Sequence, residues 1–177
     1  TALRTKPFVI LAGVSGTGKS KLPQLVAHAT GSQFQRFSVR PDWTDSSDVL
    51  GYVDLGGTFR AGGVLQFARA ATDAPGQQHV CLLDEMNLAR VEQYFAELLS
   101  GMEDRRPAAT GGFESPPLLV QRLKPEDADW SKVGWAPNLA LVGSVNMDES
   151  THGFSRKVLD RAFTLEVSDV DLGNWNQ

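Results

Sequence analysis

The chain has 177 residues, of which 41% are hydrophobic and 21% are charged, and its formal net charge is −4. This length and composition are typical of one globular α/β domain and exclude an intrinsically disordered chain. The acidic balance argues against a stand-alone nucleic-acid binder, which needs a basic surface.

Five short apolar segments alternate with helical patterns along the chain. We predict strands over residues 8–12, 33–39, 80–83, 139–145 and 163–167. Apolar residues at helical spacing predict helices over residues 22–29, 64–71 and 91–102, and a short helix over residues 155–162. This alternation indicates a parallel sheet with crossover helices. Residues 105–137 are less regular, and we interpret them as an inserted hairpin or long loop within one domain spanning residues 1–177.

The single cysteine, Cys81, lies inside the third predicted strand. One cysteine excludes an internal disulfide, which fits a reducing compartment. The apolar segment nearest the start, residues 8–12, is too short for a signal peptide or a membrane span. We therefore predict a cytoplasmic protein with no membrane partner.

A glycine-rich motif follows the first predicted strand and precedes a predicted helix. It matches the pattern G-x-x-x-x-G-K-[ST] in full. Glycines let successive backbone N–H groups wrap around phosphate oxygens, and the dipole of the following helix adds positive potential. Lys19 supplies a cation for the β- and γ-phosphates, and Ser20 supplies a hydroxyl to Mg²⁺. The motif predicts a nucleoside triphosphate site made of Gly13, Val14, Ser15, Gly16, Thr17, Gly18, Lys19 and Ser20.

Two carboxylates, Asp84 and Glu85, end the third predicted strand. Ligands gather at the carboxyl ends of parallel strands, so these side chains are expected beside the phosphate loop. We predict that Asp84 holds Mg²⁺, directly or through water, and that Glu85 is the general base for the attacking water. The alternative is that the acidic pair caps a helix.

A polar residue, Asn146, follows the fourth predicted strand. An amide at this position can orient the attacking water and sense the γ-phosphate. The alternative interpretation is an ordinary turn asparagine. We predict a catalytic role for Asn146.

Three cationic residues, Arg156, Lys157 and Arg161, lie just before the last predicted strand. An arginine at this position could reach the nucleotide of a neighbouring subunit and stabilise the charge of the transition state. We favour Arg161 for this role, with Arg156 second. The alternative is a solvated helix face with a salt bridge to Asp160.

Trp43 and Trp130 are interpreted as packing residues rather than as parts of a pore or a nucleic-acid surface. The three histidines lack ligand spacing, so no metal other than Mg²⁺ is expected.

Taken together, these motifs resemble the core of an AAA+ ATPase. Residues 84–90 and 143–151 are similar to segments of the McrB-like branch, which is related to the dynein- and MoxR-type ATPases. The resemblance covers residues 8–167 apart from 105–137. It implies a P-loop three-layer α/β sandwich around a five-stranded parallel sheet with the strand order 5-1-4-3-2.

The resemblance also implies roles and partners. Lys19 and Ser20 match Walker A, Asp84 and Glu85 match Walker B, Asn146 matches sensor 1, and Arg161 matches the arginine-finger segment. The implied protein is a motor that forms a homo-oligomeric, hexameric ring, with a nuclease and DNA as further partners in a restriction or phage-defence system.

Two departures from the McrB pattern shape the prediction. The McrB signature reads Asn-Thr-Ala-Asp-Arg after its sensor strand, whereas this chain reads Asn-Met-Asp-Glu-Ser over residues 146–150. The GTP preference of McrB is therefore not carried over. We expect ATP, with GTP as the alternative, together with Mg²⁺, because ATP is the commoner nucleotide of such proteins. The chain ends soon after the last predicted strand, so we expect the large subdomain without its helical lid, and weak activity of this piece alone.

Three functional classes compete for this sequence. A ring nucleoside-triphosphatase uses Glu85, Asn146 and Arg161 together, so it is favoured. A slow-turnover nucleotide-gated switch, or a MoxR-like protein-remodelling module, is the alternative. A small-molecule kinase has no use for a sensor asparagine and an arginine from another subunit.

Overall fold

The computed structural model describes residues 7–107, 113–147 and 152–167. The strands are β1 (Phe8–Gly13), β2 (Gln33–Ser38), β3 (Gly51–Val53), β4 (Phe59–Ala61), β5 (His79–Asp84), β6 (Arg106–Pro107), β7 (Phe113–Glu114), β8 (Leu139–Asn146) and β9 (Phe163–Glu166). The α-helices are α1 (Lys21–Ala29), α2 (Ser47–Leu50), α3 (Gly63–Asp73), α4 (Val91–Tyr94), α5 (Ala96–Glu103) and α6 (Arg156–Leu159).

A five-stranded sheet in the order β2-β5-β8-β1-β9 forms the centre of the domain. Every neighbouring pair in this sheet is parallel. Numbered along the chain, the five strands have the order 5-1-4-3-2, so the predicted architecture is confirmed. The sequence bounds of the predicted strands differ from the observed ones by at most one residue.

The two faces of the sheet have separate cores, because successive side chains of a strand point to opposite faces. Phe8 and Ile10 of β1 belong to the larger core, which includes residues of α3, α4 and α5. Val9 and Leu11 belong to a smaller core that includes Ala27 of α1. Helices therefore cover both faces, which makes a three-layer sandwich. Cys81 lies fully buried in β5 as a free thiol.

The predicted helix over residues 91–102 is wrong as a single helix. The chain forms α4 and α5 with a break at Phe95, whose backbone lies at φ −113° and ψ 9°. Tyr94 and Phe95 are both fully buried at this break. The ring of Phe95 packs against that of Phe8, with 5.9 Å between centroids. Tertiary packing of two adjacent aromatic rings thus outweighs the helical pattern.

The irregular region packs against the rest of the domain. Strands β6 and β7 pair antiparallel, and residues 108–112 between them lie outside the described part. A main-chain N–H of Phe59 in β4 donates a hydrogen bond of 2.9 Å to Asp127. Trp130 contacts Phe59 and lies under the guanidinium of Arg69. Trp43 packs edge-on against Tyr94, so both tryptophans have the predicted packing contacts.

The described part of the chain ends one residue after β9. Residues 1–6, 108–112, 148–151 and 168–177 lie outside the description, so the expected absence of a helical lid after β9 falls outside the described residues. No helix in the described ranges is long and apolar enough to cross a bilayer.

The carboxyl ends of the central strands meet at one edge of the sheet. In the parallel register, Gly13 at the end of β1 is paired with Asn146 at the end of β8. Ser38 at the end of β2 is paired with Asp84 at the end of β5. This register brings distant parts of the sequence together at the edge where ligands of parallel sheets bind.

Candidate functional site at the carboxyl edge of the sheet

The glycine-rich loop joins the end of β1 to the start of α1. Gly16 and Gly18 have φ angles of 82° and 80°, a conformation that residues with a side chain rarely adopt. A Cβ atom at either glycine would meet no other atom within 4 Å. Backbone strain, rather than crowding within the chain, is therefore the physical reason for glycine at these two positions.

Lys19 is buried, with only 4% of its surface exposed. Its ammonium group donates hydrogen bonds to the carbonyl of Val14 and, at 3.4 Å, to the hydroxyl of Thr17. Within the described residues no carboxylate forms a salt bridge with Lys19. A buried cation held only by neutral oxygens favours the approach of an anion.

Asp84 lies at the centre of a hydrogen-bond cluster that joins three segments. Its Oδ1 atom accepts hydrogen bonds from the hydroxyl of Ser20 and, at 2.6 Å, from that of Ser144. Its Oδ2 atom accepts a hydrogen bond from the guanidinium of Arg36. Burial acts to raise the pKa of Asp84, but the hydrogen bonds from Ser144 and Ser20 and the charge of Arg36 lower it below its usual value. Asp84 is therefore held as a carboxylate beside the phosphate loop.

Glu85 follows Asp84 in the left-handed region of backbone conformation, with φ 54°, the one residue other than glycine with positive φ in the described part. Its N–H donates a hydrogen bond of 2.9 Å to the hydroxyl of Ser144. Its Oε1 atom accepts a hydrogen bond of 3.2 Å from Nδ2 of Asn146. Glu85 makes no side-chain capping hydrogen bond to the following 3₁₀ turn, so the capping alternative does not describe its contacts.

These side chains share one cavity of about 580 Å³ at the carboxyl edge of the sheet. It contains eight of the twelve predicted site residues and adds four cationic, amide or aromatic neighbours that were not predicted. The lining residues are Ser15, Gly16, Gly18, Lys19, Ser20, Lys21, Gln24, Phe34, Arg36, Asp84, Glu85 and Asn146.

Arg161 lies away from this cavity in the same chain. Its side chain is 16% exposed, and its guanidinium forms an ion pair with Glu103 of α5 and donates a hydrogen bond of 2.6 Å to the carbonyl of Lys157. Glu103 is thus an ion-pair partner of Arg161 within the same chain. Arg156, the second candidate, is exposed in α6.

Two hydrogen-bond partners of Asp84, Ser144 and Arg36, were not predicted from the sequence. Ser144 joins Asp84 to the backbone of Glu85, and its position two residues before Asn146 in the same strand could have indicated that it shares the face of that asparagine. Arg36 has no comparable signal, because β2 is distant in sequence from β5 and a lone arginine in an edge strand is ordinarily solvent-facing.

The sequence comparison agrees with this geometry. Residues 8–164 match a protein family described as the AAA domain, dynein-related subfamily. The chain belongs to this family. Membership implies an AAA domain that binds and hydrolyses a nucleotide, and AAA domains commonly oligomerise.

The oxygens in this AAA domain fit Mg²⁺. The hydroxyl of Ser20 and the carboxylate of Asp84 touch each other, and both are hard oxygen donors of the kind that Mg²⁺ prefers. Across the described ranges there is no cluster of three or more His, Cys, Asp or Glu residues suited to a metal. Mg²⁺ bound with nucleotide needs few protein ligands, because phosphate and water complete its coordination.

Proposed function

We propose that this AAA domain catalyses the Mg²⁺-dependent hydrolysis of ATP. The observation that carries the proposal is the cluster in which Asp84 accepts hydrogen bonds from Ser20 of the phosphate loop and from Ser144. This cluster joins the hydroxyl of Ser20 to the carboxylate of Asp84 and, through Ser144, to the backbone of Glu85. The buried Lys19 lines the same cavity. A site that only binds nucleotide has no need for the second carboxylate and its amide partner.

In this proposal the loop residues bind the nucleotide. The backbone of residues 13–18 wraps the phosphates, and Lys19 neutralises the β- and γ-phosphates. Ser20 and Asp84 hold Mg²⁺, which stabilises negative charge on the phosphates when bound. The depressed pKa of Asp84 keeps it charged for this task at neutral pH.

Glu85 and Asn146 act on the water. The carboxylate of Glu85 accepts the proton of the attacking water as general base, and Asn146 orients Glu85 and senses the γ-phosphate. The hydrogen bond from Asn146 to Glu85 supports this assignment, because it fixes the carboxylate at the mouth of the phosphate loop.

The proposal extends to the base of the nucleotide and to the assembly of the subunits. We propose ATP rather than GTP, because ATP is the commoner nucleotide of such proteins and the McrB signature that accompanies GTP differs here. We also propose a homo-oligomeric, hexameric ring in which Arg161 of one subunit reaches the nucleotide of the next. Arg161 does not line the nucleotide cavity of its own chain, which is compatible with a role at the cavity of a neighbouring subunit.

The cellular role is proposed by resemblance alone. Residues 84–90 and 143–151 support a McrB-like motor in a restriction or phage-defence complex, with a nuclease partner and DNA, although residues 148–151 lie outside the described part. The second candidate is a slow-turnover nucleotide switch or a MoxR-like remodelling module. The ion pair that ties Arg161 to Glu103 in the same chain favours this slower alternative.

Phosphate release from ATP and GTP, measured with Mg²⁺ and with EDTA, tests the proposal. We expect phosphate release only with Mg²⁺, a preference for ATP, and loss of phosphate release in Lys19→Ala, which lacks the cation for the phosphates. Lys132→Ala is the matched control, because Lys132 is exposed and pairs with Asp129. Turnover in EDTA, or equal activity of Lys19→Ala and wild type, contradicts the proposal.

A further inference from the structure

Arg36 is the basic residue that contacts Asp84 directly. It lies in the edge strand β2, in register with Leu82 of β5. Its guanidinium donates to Oδ2 of Asp84, and the two side chains are 55% and 5% exposed, respectively. The same arginine lines the cavity that contains Lys19 and Ser20. An arginine thus occupies one oxygen of the carboxylate that the proposed function assigns to Mg²⁺.

The two oxygens of Asp84 have different partners. Oδ1 accepts hydrogen bonds from two hydroxyl groups, whereas Oδ2 accepts one from a cation. A guanidinium carries only donors and cannot bind a metal ion, so it cannot share a coordination shell with Mg²⁺. Two positive charges beside one carboxylate also repel each other. Because Arg36 is half-exposed, its ion pair is of the weak, solvent-screened kind that a stronger cation displaces.

We propose that Arg36 is the resident counter-cation of Asp84, that it competes with Mg²⁺ for this carboxylate, and that its charge supports the phosphates when the metal is missing. This inference rests on the proposed function. Arg36 neutralises Asp84 before loading, so a lone carboxylate does not repel an incoming triphosphate. When Asp84 holds Mg²⁺, Arg36 would release Oδ2 and turn to solvent, because its side chain is already 55% exposed.

Equilibrium binding of the fluorescent analogue mant-ATP to the full chain tests this competition. Binding is measured in EDTA, and then at fixed nucleotide as Mg²⁺ is raised. The variants are Arg36→Gln, which removes the charge, and Arg36→Lys, which keeps it. Arg40→Gln is the matched control, because Arg40 lies just beyond the same strand and pairs with Asp42 on the surface.

We expect Arg36→Gln to have two opposite effects. The Mg²⁺ concentration at half-maximal binding falls about two- to five-fold, the size of a partly exposed ion pair. Affinity in EDTA falls by a similar factor, because a charge near the phosphates is lost. Arg36→Lys stays within about two-fold of wild type in both conditions, and Arg40→Gln is unchanged.

Several results would overturn the inference. Unchanged values for Arg36→Gln, or the same changes in Arg40→Gln, exclude a specific role for Arg36. Equal weakening of Arg36→Gln with and without Mg²⁺ makes Arg36 a simple phosphate ligand and excludes competition. If wild type fails to bind mant-ATP with Mg²⁺, the proposed function itself fails. If wild type binds normally and Arg36→Gln behaves like wild type, only this inference is rejected.

Discussion

The Nδ2 atom of Asn146 donates a hydrogen bond of 3.2 Å to Oε1 of Glu85. The two residues lie at the ends of neighbouring strands, β8 and β5, 61 positions apart in sequence. Asn87 donates a further hydrogen bond of 3.0 Å to the carbonyl of Asn146. The orientation of the proposed base therefore depends on Asn146 at the end of β8 and on Asn87 in the 3₁₀ turn that follows Glu85.

Replacing Asn146 with alanine is expected to slow hydrolysis and leave nucleotide binding intact. The variant removes the donor that orients Glu85, and misplacing a catalytic group can cost about 100-fold in rate. Measurements of kcat and of mant-ATP affinity separate the two effects. Gln93→Ala, an exposed amide in α4, is the control. A wild-type kcat in Asn146→Ala would show that Glu85 needs no such partner.

Replacing Ser144 with alanine is expected to destabilise the fold. Ser144 is buried, and its hydroxyl accepts from the N–H of Glu85 and donates to Asp84. Its loss leaves a buried N–H unpaired, which costs about 1–3 kcal/mol of unfolding free energy. Urea denaturation measures this change, and Ser100→Ala at an exposed position of α5 should change it by less than about 0.5 kcal/mol. Equal stabilities of the two variants would contradict the bridging role.

The pKa of Asp84 predicts how stability depends on pH. Because hydrogen bonds and Arg36 depress the pKa in the folded state, the carboxylate stabilises the fold at pH values above its unfolded pKa of about 3.9. This stabilisation disappears as pH falls through the lower folded pKa. The difference in unfolding free energy between wild type and Asp84→Asn should therefore be largest above about pH 5 and narrow in acid. A difference independent of pH would contradict the depressed pKa.

Mixed assemblies test the proposed action of Arg161 between subunits. Arg161→Ala alone and Glu85→Gln alone should each lose hydrolysis, by about 1,000-fold or more for the arginine. Mixed together, they should regain activity, because one variant supplies an intact Glu85 and the other an intact Arg161. Arg156→Ala mixed with Glu85→Gln is the control. Inactive mixtures at concentrations where subunits assemble would contradict a role in trans.

The sequence predicts the sheet well because its signals are local. Buried parallel strands appear as short apolar segments, and the phosphate loop has fixed residue types at fixed spacing. Asp84 and Asn146 were also predictable, because polar residues at the ends of apolar strands fall at the same edge. The strand order came from the AAA+ resemblance rather than from these patterns.

The remaining features depend on contacts that local patterns do not encode. The break between helices α4 and α5 lies at Phe95, whose ring packs against Phe8 of strand β1, distant in sequence. The ion pair from Arg36 to Asp84 requires the pairing of β2 with β5. Glu103 could not be predicted as the partner of Arg161, since the two residues are 58 positions apart in sequence and meet only in the fold.

The proposed hydrolysis depends most directly on Glu85 as the general base. Hydrolysis and binding of ATP by wild type and Glu85→Gln, measured side by side with Mg²⁺, test this claim. The substitution keeps the size of the side chain and its ability to accept from Asn146, but removes the proton acceptor. We expect unchanged mant-ATP affinity and a kcat lower by about 100- to 10,000-fold. Hydrolysis by Glu85→Gln at the wild-type rate would contradict the account.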